Sequence, residues 1–235
     1  MNIIVTGASR GIGFEIALIL VQQGHHVIAV ARNGKGLENL QNAARSSGSD
    51  SRLMIMAGDL VSEKDIQQLV FTAKSLNSRI DVLINNAGAL INKPFEKITA
   101  EELRNIYEVN VFVPFRLTQA LLPLMGGEHV SHIVNISSMG GFQGSSKFPG
   151  LSAYSSSKSA LSGLSEVMAE EFKEKNIRVN CLALGAARTE MLEKAFPGYE
   201  APVSAKEMAN WIVWFALNGH VFFNGKILPV ALSTP

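Results

Sequence analysis

Between Asn2 and Ala31 two short apolar runs flank a glycine-rich turn and a helical pattern. Asn2 to Thr6 and His26 to Ala31 read as buried strands. Phe14 to Gln23 reads as a helix closed by Gly24. Strands joined through a helix lie parallel, because a parallel pair needs a crossover of this length. The turn between them is Thr6-Gly7-Ala8-Ser9-Arg10-Gly11-Ile12-Gly13. Positions without a side chain let the backbone turn tightly and approach a phosphate. The helix N-terminus behind them offers free amide donors and a positive dipole end. A connecting turn that is merely rich in glycine is the plain alternative; three glycines at one strand-to-helix junction favour nucleotide binding. Their spacing differs from the common G-x-G-x-x-G, with three residues in the first gap.

The end of the second strand indicates which nucleotide. An NAD site usually carries an acidic residue there for the ribose 2′-hydroxyl. Here the chain reads Ala31-Arg32-Asn33, with Arg10 in the glycine turn. Two arginines and no carboxylate suit a 2′-phosphate, so the expected cofactor is NADP(H). A charge-assisted bond of this kind contributes roughly 1.5–3 kcal/mol.

The alternation continues. Helices are expected over Gly34 to Ser46, Ser62 to Leu76, Ala100 to Met125, Tyr154 to Lys175 and Ser204 to Leu217. Strands are expected over Arg52 to Met56, Ile80 to Ile84, His132 to Ile136, Ile177 to Leu182 and Lys226 to Val230. This pattern predicts an α/β fold, a Rossmann-type doubly wound three-layer sandwich with a mostly parallel sheet of seven strands. No linker, repeat or low-complexity run divides residues 1–235, so one domain is expected. Asn85-Asn86-Ala87-Gly88 ends a central strand, where such sheets bind ligands. Asp59 follows the third strand and suits either the adenine edge or a helix cap. Asn110 stands mid-helix against its propensity, which points to a role.

In Ser152-Ala153-Tyr154-Ser155-Ser156-Ser157-Lys158 a tyrosine and a lysine share one helix face. A free phenol has a pKa of about 10, and a neighbouring ammonium lowers it. Tyr154 and Lys158 therefore suit an acid/base pair, set against a surface tyrosine and a solvated lysine as the plain reading.

Taken together, Thr6-Gly7-x-x-x-Gly11-x-Gly13, Asn85-Asn86-Ala87-Gly88, Asn110, Ser138 and Tyr154-x-x-x-Lys158 resemble the short-chain dehydrogenase/reductase family over almost the whole chain. The resemblance implies that Tyr154 protonates a substrate carbonyl oxygen and that Ser138 hydrogen-bonds it. Lys158 would lower the tyrosine pKa and bind the nicotinamide ribose. Asn110 would hold a water linking Lys158 to solvent. Ser137 is expected to be structural. Cofactor contacts are implied at Gly7, Ser9, Arg10, Gly11, Ile12 and Gly13 in the turn, and at Arg32, Asp59 and Leu60 beyond it. Asn86, Ala87, Gly88, Tyr154, Lys158, Gly185, Ala187 and Thr189 complete that set. Substrate contacts are implied at Ser138, Gly140, Phe148 and Met191.

Leu184-Gly185 stands where the family usually has Pro-Gly, so a freer backbone and looser nicotinamide placement are expected. A long loop before Tyr154 brings Phe142, Lys147, Phe148 and Leu151 near the site. A short lid after Thr189, with Met191, Leu192 and Phe196, suggests an apolar, open pocket. The nearest sub-resemblance is to 3-oxoacyl-[acyl-carrier-protein] reductases, with Lys173 and Lys175 as candidate grips for an acidic carrier. Gly126-Gly127-Glu128-His129 is not basic, and Ala231 to Pro235 lacks the usual Gly-Gly ending. A reductase or dehydrogenase for a small ketone, sugar, pterin-like or steroid-like carbonyl is the alternative enzyme. A non-catalytic NADP-binding sensor is the alternative outside enzymes. The resemblance also implies a homotetramer or homodimer.

Net charge is +1, which gives no basis for nucleic-acid or anionic-membrane binding. No apolar stretch reaches the length of about 18 residues of a membrane span. Met1 leads straight into a strand pattern, leaving no signal peptide, and a cytoplasmic setting is expected. The single Cys181 reads as core. The five histidines show no metal-ligand arrangement, and His129 and His132 are expected to face solvent. Trp211 and Trp214 are expected to pack in the core or at a subunit interface.

Overall fold

The computed structural model describes residues 1–75 and 79–232. The expected helix end at Leu76 lies outside the described residues, as do Ser233 to Pro235 of the C-terminal segment. In chain order the strands are β1 (Asn2–Thr6), β2 (His26–Ala31), β3 (Leu53–Ala57), β4 (Val82–Asn85), β5 (Ser131–Ser138), β6 (Ile177–Leu184), β7 (Ala187–Arg188), β8 (Val203–Ser204) and β9 (Ile227–Val230). The α-helices are α1 (Gly11–Gln22), α2 (Gly34–Ser46), α3 (Glu63–Lys74), α4 (Ala100–Tyr107), α5 (Val113–Leu121), α6 (Ser152–Glu171), α7 (Glu190–Ala195) and α8 (Ala205–Asn218).

Seven strands form one sheet in the order β3-β2-β1-β4-β5-β6-β9. Every pair in it is parallel. Alternate residues of each strand serve opposite faces. Ile3, Val5, Val27 and Ala29 face a layer built from Ile16 and Leu20 of α1, Leu37 of α2 and Ile212 of α8. Ile4, Ile28 and Leu83 face Ile66 and Leu69 of α3, Leu117 of α5 and Met168 of α6. Strands covered on both sides must be apolar throughout, which is why they read as continuous runs. The order reverses between β1 and β4, and a crevice opens at their carboxyl ends.

The expected helix from Ala100 to Met125 is broken. Between α4 and α5 lies a π turn, Glu108–Phe112, and α5 ends in a 3₁₀ turn at Leu122–Leu124. Pro114 has no N–H to return to the Asn110 carbonyl, and its ring crowds that carbonyl. One extra residue in the turn relieves the conflict, and Asn110 lies inside it. Helix α1 starts earlier than expected, so Gly11 and Gly13 belong to its first turn.

His132 is not at the surface. It is 1% exposed, since β5 is an inner strand with α8 against it. Its Nδ1 pairs with the Ala216 carbonyl at 2.9 Å, and the Asn180 amide meets Nε2 at 3.0 Å. Asn180 Nδ2 can only donate, so Nδ1 carries the proton. Burial pushes the imidazole pKa down to about 4. His129 is exposed and Cys181 is buried, as expected. Trp211 stacks on Phe215 at 5.5 Å between ring centres, whereas Trp214 is 52% exposed and is not core. Among the described residues no helix is long and apolar enough to cross a membrane.

Candidate active site

The glycine turn is fastened to the neighbouring strand end. Thr6 Oγ1 accepts from the amides of Asn86 and Ala87 at 3.1 and 2.9 Å. Asn86 Nδ2 donates back to the Thr6 carbonyl at 3.0 Å and the Gly7 carbonyl at 3.4 Å. The side chain of Asn86 thus braces the turn, while the residue still lines the crevice. Gly7 and Gly11 have φ of +70° and +57°, a region that favours glycine. A Cβ on Gly13 would lie 2.4 Å from both the Gly7 carbonyl oxygen and Asn86 Nδ2. The second glycine-to-helix contact, at Gly36 of α2, is as close: a Cβ there would meet the Ser9 carbonyl at 2.4 Å. The cradle is therefore bare backbone at the start of α1, the donor set that a dinucleotide pyrophosphate requires. The residues present fit that group.

One cavity of about 810 Å³ runs from this cradle to the α7 segment. At the nucleotide end it is lined by Ser9, Arg10, Arg32, Asn33, Asp59 and Leu60. Asp59 Oδ1 accepts from the Val61 amide at 3.1 Å, and its carboxylate lies 3.9 Å from Arg32. Asp59 therefore lines the pocket and closes its own turn, and the expected helix cap falls instead at Ser62. Gly7, Gly11, Ile12, Gly13, Ala87, Gly88, Gly185, Ala187 and Thr189 also line the cavity. Thr189 is at once the N-cap of α7, its hydroxyl accepting from the Leu192 amide at 3.2 Å.

At the other end stand Ser138, Tyr154 and Lys158, with Gly140, Phe148 and Met191 beside them. Ser138 ends β5, and its Oγ accepts from the Gly140 amide at 3.2 Å, leaving its own hydrogen to donate. Ser137 points the other way, giving its hydrogen to the Lys158 carbonyl at 2.9 Å. It holds α6 against β5, as expected. Tyr154 is half-buried and lines the cavity. Burial pushes its phenol up from the ordinary value, and a Ser138 hydrogen bond pulls it partway back.

Lys158 is 4% exposed, and its Nζ donates to the Ile136 carbonyl at 2.7 Å. Loss of water lowers its pKa to about 8. The ammonium is 5.9 Å from the centre of the Tyr154 ring. The expected lowering of the tyrosine pKa is not what the buried phenol shows: its shift is upward, with burial as the largest cause. Asn110 is fully buried and does not reach the cavity. Its Nδ2 donates to the Ala89 carbonyl at 2.9 Å and to Ser157 Oγ at 3.0 Å, and its Oδ1 accepts from the Ala89 amide at 2.8 Å. Both amide hydrogens are spent on protein. Asn110 is a positioning residue that ties the chain after β4 to α6.

Three further expectations change. Leu184 does not loosen the backbone: it extends β6 and pairs with Ser138 on one side and Val230 on the other. Of the loop residues, Phe148 and Leu151 reach the cavity, whereas Phe142 and Lys147 do not. The Lys147 ammonium instead closes its own loop on the Phe142 carbonyl at 2.6 Å. Lys173 and Lys175 follow the far end of a 20-residue helix whose other end carries Tyr154. At 1.5 Å per residue they lie roughly 30 Å from the chemistry and cannot grip a carrier at the pocket mouth. Glu190, Leu90 and Tyr199 line the cavity without having been singled out from sequence. For Glu190 a signal existed: a threonine just before an acidic residue marks a helix start.

Residues 1–200 match the model of the short chain dehydrogenase family. Oxidoreductase BOA17 of Botryotinia fuckeliana is 35% identical over 186 residues, covering 79% of this chain and 65% of that protein. The chain thus spans about two thirds of the length of that relative. The 7alpha-hydroxysteroid dehydrogenase of Escherichia coli K12 is 35% identical over 190 residues, covering 81% of this chain and 72% of that protein. The crystal structure of L-sorbose reductase from Gluconobacter frateurii, complexed with NADPH and L-sorbose, superposes with a TM-score of 0.87. Its identity is 25%, covering 99% of this chain and 95% of that one.

Proposed function

The chain belongs to the short-chain dehydrogenase family, and from that membership we propose that it reduces a ketone to a secondary alcohol with NADPH as reductant. One observation carries the reading. A single cavity joins a bare-backbone cradle and two arginines at one end to Ser138, Tyr154 and Lys158 at the other. Arg10 and Arg32 would hold the 2′-phosphate, the glycine turn the pyrophosphate, and Lys158 the nicotinamide ribose. A nicotinamide held there supplies hydride to the carbonyl carbon.

The protein supplies the proton and the fields around it. Tyr154 keeps its phenolic hydrogen at neutral pH because burial disfavours the phenolate. It is therefore loaded as a general acid and passes that hydrogen to the carbonyl oxygen as negative charge develops there. Ser138, its oxygen already accepting from the Gly140 amide, aims its own hydrogen at the same oxygen. Lys158 holds a buried positive charge that offsets the phenolate left on Tyr154. The Ile136 carbonyl and the 137–158 contact fix where that charge sits.

Around the reacting end the walls include Leu90, Met139, Phe148, Met191 and Leu192. They suit an apolar ketone free in solution. A 3-oxoacyl thioester on a small thiol fits the same walls; one on acyl carrier protein lacks the basic grip expected of Lys173 and Lys175. A cytoplasmic enzyme assembled as a homodimer or homotetramer from one 1–235 domain completes the proposal. Exposed Phe112 and Phe115 on one side and Trp214 and Phe222 on another support the assembly.

NADPH oxidation is measured with small apolar ketones and with acetoacetyl thioesters on a small thiol and on carrier protein. Turnover with at least one, falling roughly 10²–10⁴-fold in Tyr154→Phe while NADPH binding persists, is the expected result. A variant that turns over normally would remove Tyr154 as the acid. NADPH binding with no turnover on any carbonyl favours the sensor reading.

A further inference from the structure

Arg10 is committed elsewhere in this structure. It is the N-cap of α1, in extended backbone and with no side-chain capping bond. Its guanidinium instead reaches across the crevice to Glu190, the first residue of α7, at 2.7 Å. Both residues line the cavity. Helix α7 is fastened at its other end as well, where Asn92 Nδ2 donates to the Ala195 carbonyl at 2.8 Å. Between these two straps Met191 and Leu192 form part of the wall over the reacting end. One strap is a hydrogen bond from a side-chain amide to a backbone carbonyl. The other is an ion pair on the guanidinium that suits a 2′-phosphate.

Resting on the NADP(H) reading above, we propose that Glu190 is a latch residue that competes with the 2′-phosphate of the cofactor for Arg10. It holds Arg10 until a 2′-phosphate takes the guanidinium, and so couples recognition of that phosphate to release of the α7 lid. The two members of the pair are 49% and 62% exposed. Such a pair contributes little and yields readily. A phosphate dianion offers the guanidinium fork more acceptor oxygens and more charge than one carboxylate. Glu190 and the phosphate carry like charge, so the guanidinium does not hold both closely without repulsion between them. Arg32 is held more loosely than Arg10: it is 72% exposed and its pair with Asp59 is 3.9 Å long. It stays with the phosphate while Arg10 changes partner. A nucleotide without the 2′-phosphate gives Arg10 nothing in exchange and leaves the strap closed.

The test compares 2′,5′-ADP with 5′-AMP by calorimetry on the full chain, as the native protein, Glu190→Gln and Glu193→Gln. Glu193 also lies in the first turn of α7 but makes no ion pair with Arg10, so it controls for the loss of a helix-end charge. Glu190→Gln is expected to bind 2′,5′-ADP roughly two- to fivefold tighter, the range an exposed ion pair supplies, with 5′-AMP unchanged. Glu193→Gln is expected to leave both alone. Hydrogen exchange across residues 190–195 is expected to quicken in the native protein with 2′,5′-ADP and not with 5′-AMP, and to be fast from the start in Glu190→Gln. Equal shifts for both nucleotides, or exchange indifferent to the 2′-phosphate, would overturn the role of Glu190 while leaving the nucleotide site standing. If neither nucleotide binds the native protein, the cofactor reading and the strap fall together.

Discussion

Acidification from pH 7.5 to 5 should weaken the fold, most of all through one buried imidazole; His25 and His220, also held below the ordinary value by burial, add to the loss. His132 has a pKa of about 4 in the folded chain, against 6.5 for the free side chain. Burial dominates the shift, and His220, its ring centre 5.7 Å away, adds to it. The Ala216 carbonyl opposes it only in part. The folded pKa is the lower one, so the unfolded chain binds the extra proton throughout the window between the two values. Stability is therefore complete above pH 6.5 and falls as the pH drops towards 4. Integrating one proton between those values gives a loss of about 2 kcal/mol by pH 5 and about 3 kcal/mol once both forms are charged. Urea unfolding at pH 7.5, 6.5, 5.5 and 5 measures it. Glu102 and Glu207, whose carboxyls are held below their ordinary range, begin to matter only further down. His132→Gln keeps an amide donor and acceptor in place of the ring nitrogens and has nothing to protonate. It should start less stable and lose clearly less between pH 7.5 and 5. Equal losses in both proteins would refute the buried-imidazole argument, whatever the absolute stabilities.

Two further perturbations act on the crevice. Gly13→Ala places a methyl 2.4 Å from the Gly7 carbonyl oxygen, so the turn must move; nucleotide affinity should fall at least about tenfold and stability by roughly 1–3 kcal/mol, read by calorimetry and thermal unfolding. Asn110→Ala leaves the Ala89 amide and carbonyl without their partners, which should cost about 1–3 kcal/mol and lower kcat more than nucleotide affinity; an unchanged kcat would deny Asn110 its positioning role.

Elements with a strong local signal were legible. β1, β2 and α2 run between the residues their apolar patterns indicated, because strands buried on both faces admit little else. The Tyr154–Lys158 spacing also placed both side chains on the cavity wall, since both belong to one helix. Legibility ended where a partner comes from far along the chain. Nothing near His132 announces that α8 will cover it, and nothing near Arg10 announces Glu190. The same holds for charge: the influence of Lys158 on Tyr154 depends on a 5.9 Å separation and on burial, neither of which a four-residue spacing reveals. The break at Glu108–Phe112 was readable in principle from Pro114, but the apolar period on either side masks it.

That break sets a limit on how this segment can vary. Each residue advances an α-helix by about 100°. The extra residue in the π turn therefore shifts the apolar period of the sequence by the same angle, and the wide turn takes it up. Ile106 before it and Leu117 and Leu121 after it are all buried, so both helices keep a face on the core across the break. Removing one residue between 108 and 112 would restore a regular helix without turning Leu117 and Leu121, because the wide turn already absorbs the extra residue; what it would change is the turn itself. It would carry Asn110 away from Ala89 and Ser157. Length here is as strictly specified as residue identity, in a stretch that looks from outside like an ordinary surface helix.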